Sequence, residues 1–152
     1  IPCDNRLWME YPGDESSQSL IETTHEYAIL PHQKSWNEAD LYTPALSFTQ
    51  PLKPCQFGKQ VGTLELNKSF VEITNTKLVL SAVKQAEDRS STLVRCFNPS
   101  QEEQQTSIKV GFSCNKAQVV RLSEEAVKEL PIHDGSVDLT VGRGQIVTVE
   151  FA

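Results

Sequence analysis

Residues 92–99 read TLVRCFNP, and this stretch decides the fold of the second half of the chain. The β-branched and aromatic side chains before Asn98 favour a strand, whereas the Asn-Pro pair favours a turn. Upstream, residues 78–83 form an apolar run, and residues 86–91 read AEDRSS, which is typical of a turn. Two strands separated by a short connection are therefore predicted.

The same pattern continues to the end of the chain. Residues 107–112 alternate apolar and polar side chains, which indicates a half-buried strand. Further strands are predicted at residues 119–122, 137–141 and 146–151, and residues 123–130 are interpreted as either a helical turn or an irregular loop. Six short strands with little helix predict an all-β fold, a small antiparallel β-sandwich over residues 77–152.

Residues 1–76 are less regular. The alternation at residues 26–30 predicts a strand that Pro31 ends. Ser35 is placed to cap a short helix over residues 36–41, with Glu38 at the capping-box position. Residues 61–66 and 70–73 are predicted to pair as strands across the turn at residues 67–69.

This irregular part contains many loops, and Pro44, Pro51 and Pro54 interrupt it. A segment of this kind is expected to pack against something else. We therefore predict that it is part of a larger β-domain, with a domain boundary near residues 75–77.

Composition excludes several classes of function. The net charge is −6, and residues 1–76 hold 10 acidic against 5 basic side chains, which argues against a nucleic-acid surface. No apolar run approaches the roughly 20 residues that span a bilayer. The chain begins at Ile1 without a basic and apolar leader, so a cytoplasmic protein is expected.

The four cysteines are Cys3, Cys55, Cys96 and Cys114. They form no C-x-x-C pair, and four cysteines allow three disulfide pairings. Because a chain of 152 residues can bury a sufficient core, we predict four free thiols. A metal site formed by His25, His32 and Cys55 is the alternative, although their spacing matches no metal motif.

Both tryptophans and all three tyrosines lie within the first 42 residues: Trp8, Tyr11, Tyr27, Trp36 and Tyr42. Such side chains stack on sugar faces, but they also pack at cores and domain interfaces. The cluster therefore leaves a binding surface and an interface both open.

Several segments together resemble the C-terminal β-domains of glycoside hydrolase family 38, the α-mannosidases, most nearly its bacterial branch. The N-terminal segments are YPG at residues 11–13, HEYAILPH at 25–32, WNEADLY at 36–42 and QPL at 50–52. The C-terminal segments are LSAVKQAED at residues 80–88, LVRCFNP at 93–99, VRLSEE at 120–125 and GQIVTV at 144–149.

The resemblance implies a C-terminal piece of a larger multidomain glycosidase. Residues 1–76 would be the end of the large central β-domain plus a link, and residues 77–152 the small terminal β-sandwich. The parent would be a retaining α-mannosidase with a zinc ion and an Asp nucleophile in its catalytic barrel. No catalytic, cofactor-binding or metal-binding residue is transferred to this chain, because none of those motifs matches it.

The expected partners are the barrel and the remaining β-domain of the parent chain, together with a mannose-containing glycan, but no nucleic acid and no membrane. The leading interpretation is thus an inactive structural piece that supports the barrel and walls its cleft. A stand-alone carbohydrate-binding module and a sandwich for protein–protein contact are the alternatives.

Overall fold

A computed structural model of the protein describes residues 21–36 and 38–152. The chain divides into two compact units, residues 1–30 and 31–152. In the first unit, residues 21–30 are exposed and contain no helix or strand. The predicted strand at residues 26–30 is therefore wrong, since alternation makes a strand only where a neighbouring strand accepts its hydrogen bonds.

The second unit contains one helix and eight strands within its described residues. These are α1 (Tyr42–Thr49), β1 (Val71–Ile73), β2 (Val79–Gln85), β3 (Thr92–Phe97), β4 (Gln104–Val110), β5 (Ala117–Val120), β6 (Ala126–Leu130), β7 (Ser136–Val141) and β8 (Ile146–Phe151). No helix in the described ranges is long and apolar enough to cross a membrane.

The strands form two antiparallel sheets. One sheet has three strands in the order β1-β4-β7, and the other has five in the order β2-β3-β8-β5-β6. Val94 pairs with Val149 in the five-stranded sheet, and Ile108 pairs with Val137 in the three-stranded sheet. In each sheet, apolar side chains of neighbouring strands therefore lie side by side. The predicted all-β antiparallel sandwich is confirmed.

The core lies between the sheets. Ile108 on β4, Val137 on β7 and Val94 on β3 are at most 1% exposed, and all three belong to one cluster. Burying such a side chain contributes about 1.5–3 kcal/mol to folding. The period-two alternation of the sequence therefore creates the sandwich by giving each sheet one apolar face.

The central strand β8 is buried on both faces. Val149 and Phe151 enter the core, while Thr148 and Glu150 alternate with them and are each 2% exposed. A smaller apolar cluster of Ala86, Leu93 and Val120 is separate from the core. Glu150 is thus a charged side chain fixed in the middle of a sheet.

The helix begins later than the sequence predicts. Trp36 and Glu38 lie in a turn in which the Ser35 hydroxyl donates to Glu38, and α1 starts only at Tyr42. The backbone N–H of Thr43 donates to Asp40 at 3.2 Å. Pro44 lies in the first turn, where a missing N–H costs no hydrogen bond, so it does not prevent the helix.

Two other predictions change in the structure. Residues 61–66 form no strand, and β1 pairs with β4 instead, because a hairpin of two isolated strands is only marginally stable. Residues 126–130, interpreted as part of a helical turn or loop, are the strand β6. Residues 51–70 contain no helix or strand, and every one of them is exposed.

Candidate functional site

A groove of about 500 Å³ lies beside the edge of the five-stranded sheet. Its walls are the turn and helix at residues 36 and 38–46, the chain at residues 76–80, and the loop after β3 at residues 99–102 together with Gln104. All of these residues belong to the second compact unit. Grooves of this size hold small ligands in many proteins.

The groove combines an aromatic side chain with charged and polar ones. Trp36, which is 52% exposed, lines the groove together with Glu38, Asp40, Glu102 and Lys77. The Ser35 hydroxyl donates to Glu38 and lowers the pKa of that carboxyl. An aromatic surface beside hydrogen-bond acceptors is a combination that suits a sugar.

Tyr42 has a different role from Trp36. Its ring meets Phe97 of β3 edge to face, with the ring centroids 5.4 Å apart. This contact holds α1 against the sheet, since a helix of eight residues is unstable alone. Tyr27 is exposed in the first compact unit, and Trp8 and Tyr11 lie outside the described residues.

The most buried charge of the described residues is Glu150. One carboxylate oxygen accepts from Arg89 Nε and from the Ser91 hydroxyl. The other accepts from Arg89 Nη2 at 3.0 Å and from Gln118 Nε2 at 2.8 Å. The Arg89 guanidinium, with Ser91 and Gln118, lowers the pKa of Glu150 from 4.5 to about 2 against the opposing effect of burial.

A second carboxylate extends this network. Glu124, with φ 66° in the turn between β5 and β6, accepts from the backbone N–H of Glu87 and from Lys84 Nζ, both at 2.9 Å. The Glu87 N–H, followed by Lys84, lowers the pKa of Glu124. Arg89 Nη2 also donates to the Glu124 carbonyl at 2.8 Å. The network thus ties the β2–β3 turn to the β5–β6 turn and to β8.

The chemistry open to these carboxylates is limited. A general acid needs a proton near neutral pH, and a nucleophile needs a free lone pair facing a cleft. Glu150 is 2% exposed, its pKa lies near 2, and four donors occupy its oxygens. Its geometry therefore serves to hold the loops rather than to react.

Asn98 holds the opposite end of the sandwich. Its amide nitrogen donates to the carbonyls of Glu102, Val141 and Gly142 at 2.7–3.1 Å, and its oxygen accepts from Ser100. The side chain is 0% exposed. The Asn-Pro step at residues 98–99 therefore fixes the β3–β4 loop to the β7–β8 turn.

The described residues offer no metal centre, because no three His, Cys, Asp or Glu side chains among them converge. His25 contacts the Thr23 hydroxyl at 3.2 Å, and His32 Nδ1 donates to the Lys34 carbonyl at 2.6 Å. The alternative metal site at His25, His32 and Cys55 combines residues of both compact units and stays a hypothesis. Cys55, Cys96 and Cys114 are free thiols, and Cys3 lies outside the described residues.

Comparison with known families decides the origin of this sandwich. The profile described as "Glycosyl hydrolases family 38 C-terminal beta sandwich domain" matches residues 77–149. These residues belong to glycosyl hydrolase family 38. The match includes the strands β2 to β7 and the first four residues of β8, and it contains Lys84, Arg89 and Asn98.

The match makes residues 77–149 a glycosidase-family domain and implies a glycoside hydrolase as its parent. No curated protein matches the chain. The likeness of residues 11–52 to the family lies outside the matched range and stays a prediction, as do the bacterial branch and the division at residues 76 and 77. The assignment of no catalytic, cofactor or metal residue also stays a prediction.

Sequence reasoning missed the Arg89–Glu150 network. One signal is present: Glu150 lies between Val149 and Phe151 in a strand whose other residues, apart from Thr148, are apolar. A carboxylate at such a position needs a buried partner. The partner comes from a turn 61 residues earlier in the chain, which no local pattern indicates.

Proposed function

We propose that this chain is the non-catalytic C-terminal β-sandwich region of a retaining α-mannosidase. In this proposal it supports the catalytic barrel and walls part of its cleft, while zinc and both catalytic carboxylates are supplied by the barrel. The family match over residues 77–149 is the observation that carries the proposal. The cleavage of α-mannosidic bonds, the zinc ion and the barrel partner are parts of the proposal.

The fixed carboxylates support the non-catalytic role. Retaining hydrolysis needs two carboxyl groups about 5–5.5 Å apart across a sugar, one of them free to attack and one able to donate a proton. Glu150 and Glu124 are instead occupied by donors of the sandwich itself, and both pKa values are lowered. Neither side chain can take either role without dismantling the loops that it holds.

The exposed linking segment supports a partner within the parent chain. Within residues 51–70, Leu52, Val61 and Leu66 are 99–104% exposed, and Phe57 is 74% exposed. Apolar side chains in such density gain free energy when another surface covers them. The remaining domains of the parent glycosidase are the partner in this proposal, and the family match over residues 77–149 supports that choice.

A cytoplasmic location is part of the same proposal. Cys55 is exposed and Cys114 is half-buried, and both are free thiols. Free accessible thiols are typical of reducing compartments.

The test uses the parent gene. The coding sequence upstream of Ile1 should encode a barrel, and the full-length protein should cleave an aryl α-mannoside and lose activity on chelation. Removal of residues 77–152 from the parent should lower its melting temperature and its activity together. A parent without a barrel would refute the proposal and favour the alternative, a stand-alone carbohydrate-binding module.

A further inference from the structure

The groove at residues 36–46, 76–80 and 99–104 is a part of the fold that the scaffold role leaves unused. We propose that it is a binding site for one neutral hexose ring of a glycan, with Trp36 as the stacking surface. The site itself is independent of the proposed parent activity, although the choice of mannose as the probe sugar rests on that function.

The aromatic side chain is available for stacking. Trp36 lines the groove and is 52% exposed, whereas Tyr42 in the same wall is committed to its contact with Phe97. One face of a pyranose presents C–H groups that pack on an indole ring. Tyr42 therefore sets the position of the wall, and Trp36 remains free to meet a ligand.

The polar side chains match the hydroxyl groups of a sugar. Asp40 uses one carboxylate oxygen for the Thr43 N–H, which leaves the other as an acceptor. The hydrogen bonds of Glu102 with Asn98 and Ser100 use its backbone N–H and carbonyl, so they leave its carboxylate as an acceptor, and Gln101 lines the groove beside it in sequence. Carboxylates accept hydrogen bonds from sugar hydroxyls, and amides both donate and accept. These groups therefore supply donors and acceptors that complement the hydroxyl groups of a sugar.

The charge of the lining selects among sugars. Glu38, Asp40 and Glu102 face the groove with Lys77 as its one basic side chain among the lining residues. This excess of negative charge disfavours a phosphorylated or otherwise acidic sugar, because like charges at close range repel. The volume of about 500 Å³ admits one or two rings. A neutral hexose at the end of a glycan is the ligand that meets both conditions.

The experiment is a titration of the full 152-residue chain with methyl α-D-mannopyranoside. Binding is monitored through the ¹⁵N–¹H NMR signals of the indole N–H groups. The Trp36 signal is identified as the one that disappears in Trp36→Phe. It should shift saturably, with a Kd on the order of 1 mM for a small neutral ligand in an open groove. Mannose 6-phosphate should shift it less at every concentration.

The variants locate the site. Trp36→Ala should weaken binding by about tenfold or more, while Trp36→Phe keeps a stacking ring and should stay within about threefold. Asp40→Asn keeps a side-chain oxygen that can accept from the Thr43 N–H but loses the charge, and it should weaken binding by about fivefold. Glu125→Gln changes a surface ion pair away from the groove and is the matched control. It should bind the sugar as tightly as the unsubstituted 152-residue chain does.

Several results would overturn the proposal, provided that far-UV circular dichroism shows each variant folded. These are the absence of a saturable shift, unchanged binding by Trp36→Ala, and tighter binding of the phosphorylated sugar. Failure here leaves the scaffold function intact, because that function is judged by the upstream gene and by parent activity. Conversely, sugar binding by a chain whose gene lacks a barrel would keep the site and remove the scaffold role.

Discussion

Glu150→Gln replaces a 2% exposed carboxylate by an amide of nearly the same shape and thereby removes one buried charge. Four donor groups now converge on the Glu150 oxygens, from Arg89, Ser91 and Gln118. An amide has only one oxygen, and its NH₂ group would face the donors on the other side. The substitution should therefore leave buried donors without acceptors and leave Arg89 without its counter-ion.

The magnitude follows from the pKa of Glu150. A fall from 4.5 to about 2 corresponds to about 3 kcal/mol of native-state stabilisation at ~1.36 kcal/mol per pH unit. Arg89 is 38% exposed, so water screens the pair and about 2–3 kcal/mol is the expected loss at pH 7. Because the native pKa is depressed, this stabilisation is complete above about pH 4.5 and disappears as the pH falls towards 2.

The assay is urea unfolding of both proteins by far-UV circular dichroism between pH 7 and pH 3. At an m-value of about 2 kcal/mol/M, Glu150→Gln should lower the midpoint by about 1–1.5 M at pH 7, and the gap should shrink below pH 4.5. Glu125→Gln, which removes an exposed surface pair, should change stability by under about 0.5 kcal/mol. The reasoning would be refuted if Glu150→Gln were as stable as the original protein at pH 7. It would also be refuted if the difference in urea midpoint between the two proteins did not change with pH.

Three further outcomes are expected. Asn98→Ala should lower the free energy of unfolding in urea by about 2–4 kcal/mol, because it leaves buried carbonyls of both adjoining loops without a donor. A decrease under about 1 kcal/mol would contradict the anchor role. In the native protein, iodoacetamide should label the exposed Cys55 but not the buried Cys96, because burial raises the pKa of the Cys96 thiol to about 11. Equal labelling of the two residues in mass spectra would count against this. Tyr42→Ala should release α1 and speed proteolysis at residues 41–50 severalfold while the sandwich keeps its melting temperature, and an unchanged cleavage rate would argue against the Phe97 contact.

The sandwich was predictable because its signal is local. In β4, Ile108 and Val110 alternate with Ser107 and Lys109, and in β8 Val147 and Val149 line the core, so a period of two identifies strand and face together. Residues 126–130 carry no such alternation, and four of the five are exposed. The strand β6 exists because β5 offers it an edge, which is a tertiary cause that the segment itself does not encode.

The groove and the charge network could not be predicted, because both depend on contacts between segments that are distant in the sequence. Trp36 was recognised as a candidate stacking residue, but its groove requires the chain at residues 76–80 and 99–102 to lie beside it. Arg89 and Glu150 meet only after β3 and β8 pair. Conversely, residues 61–66 have strand-like composition without a partner strand, so the pattern alone predicted too much.

The turnover of p-nitrophenyl α-D-mannopyranoside by the purified chain, with and without zinc, tests the non-catalytic role most directly. Enzymatic hydrolysis needs an acceleration of about a million-fold or more, which occupied carboxylates such as Glu150 cannot supply. We predict no p-nitrophenol above the buffer background, whereas the full-length parent releases it. Zinc-dependent release by the purified chain, abolished by a chelator, would contradict the account.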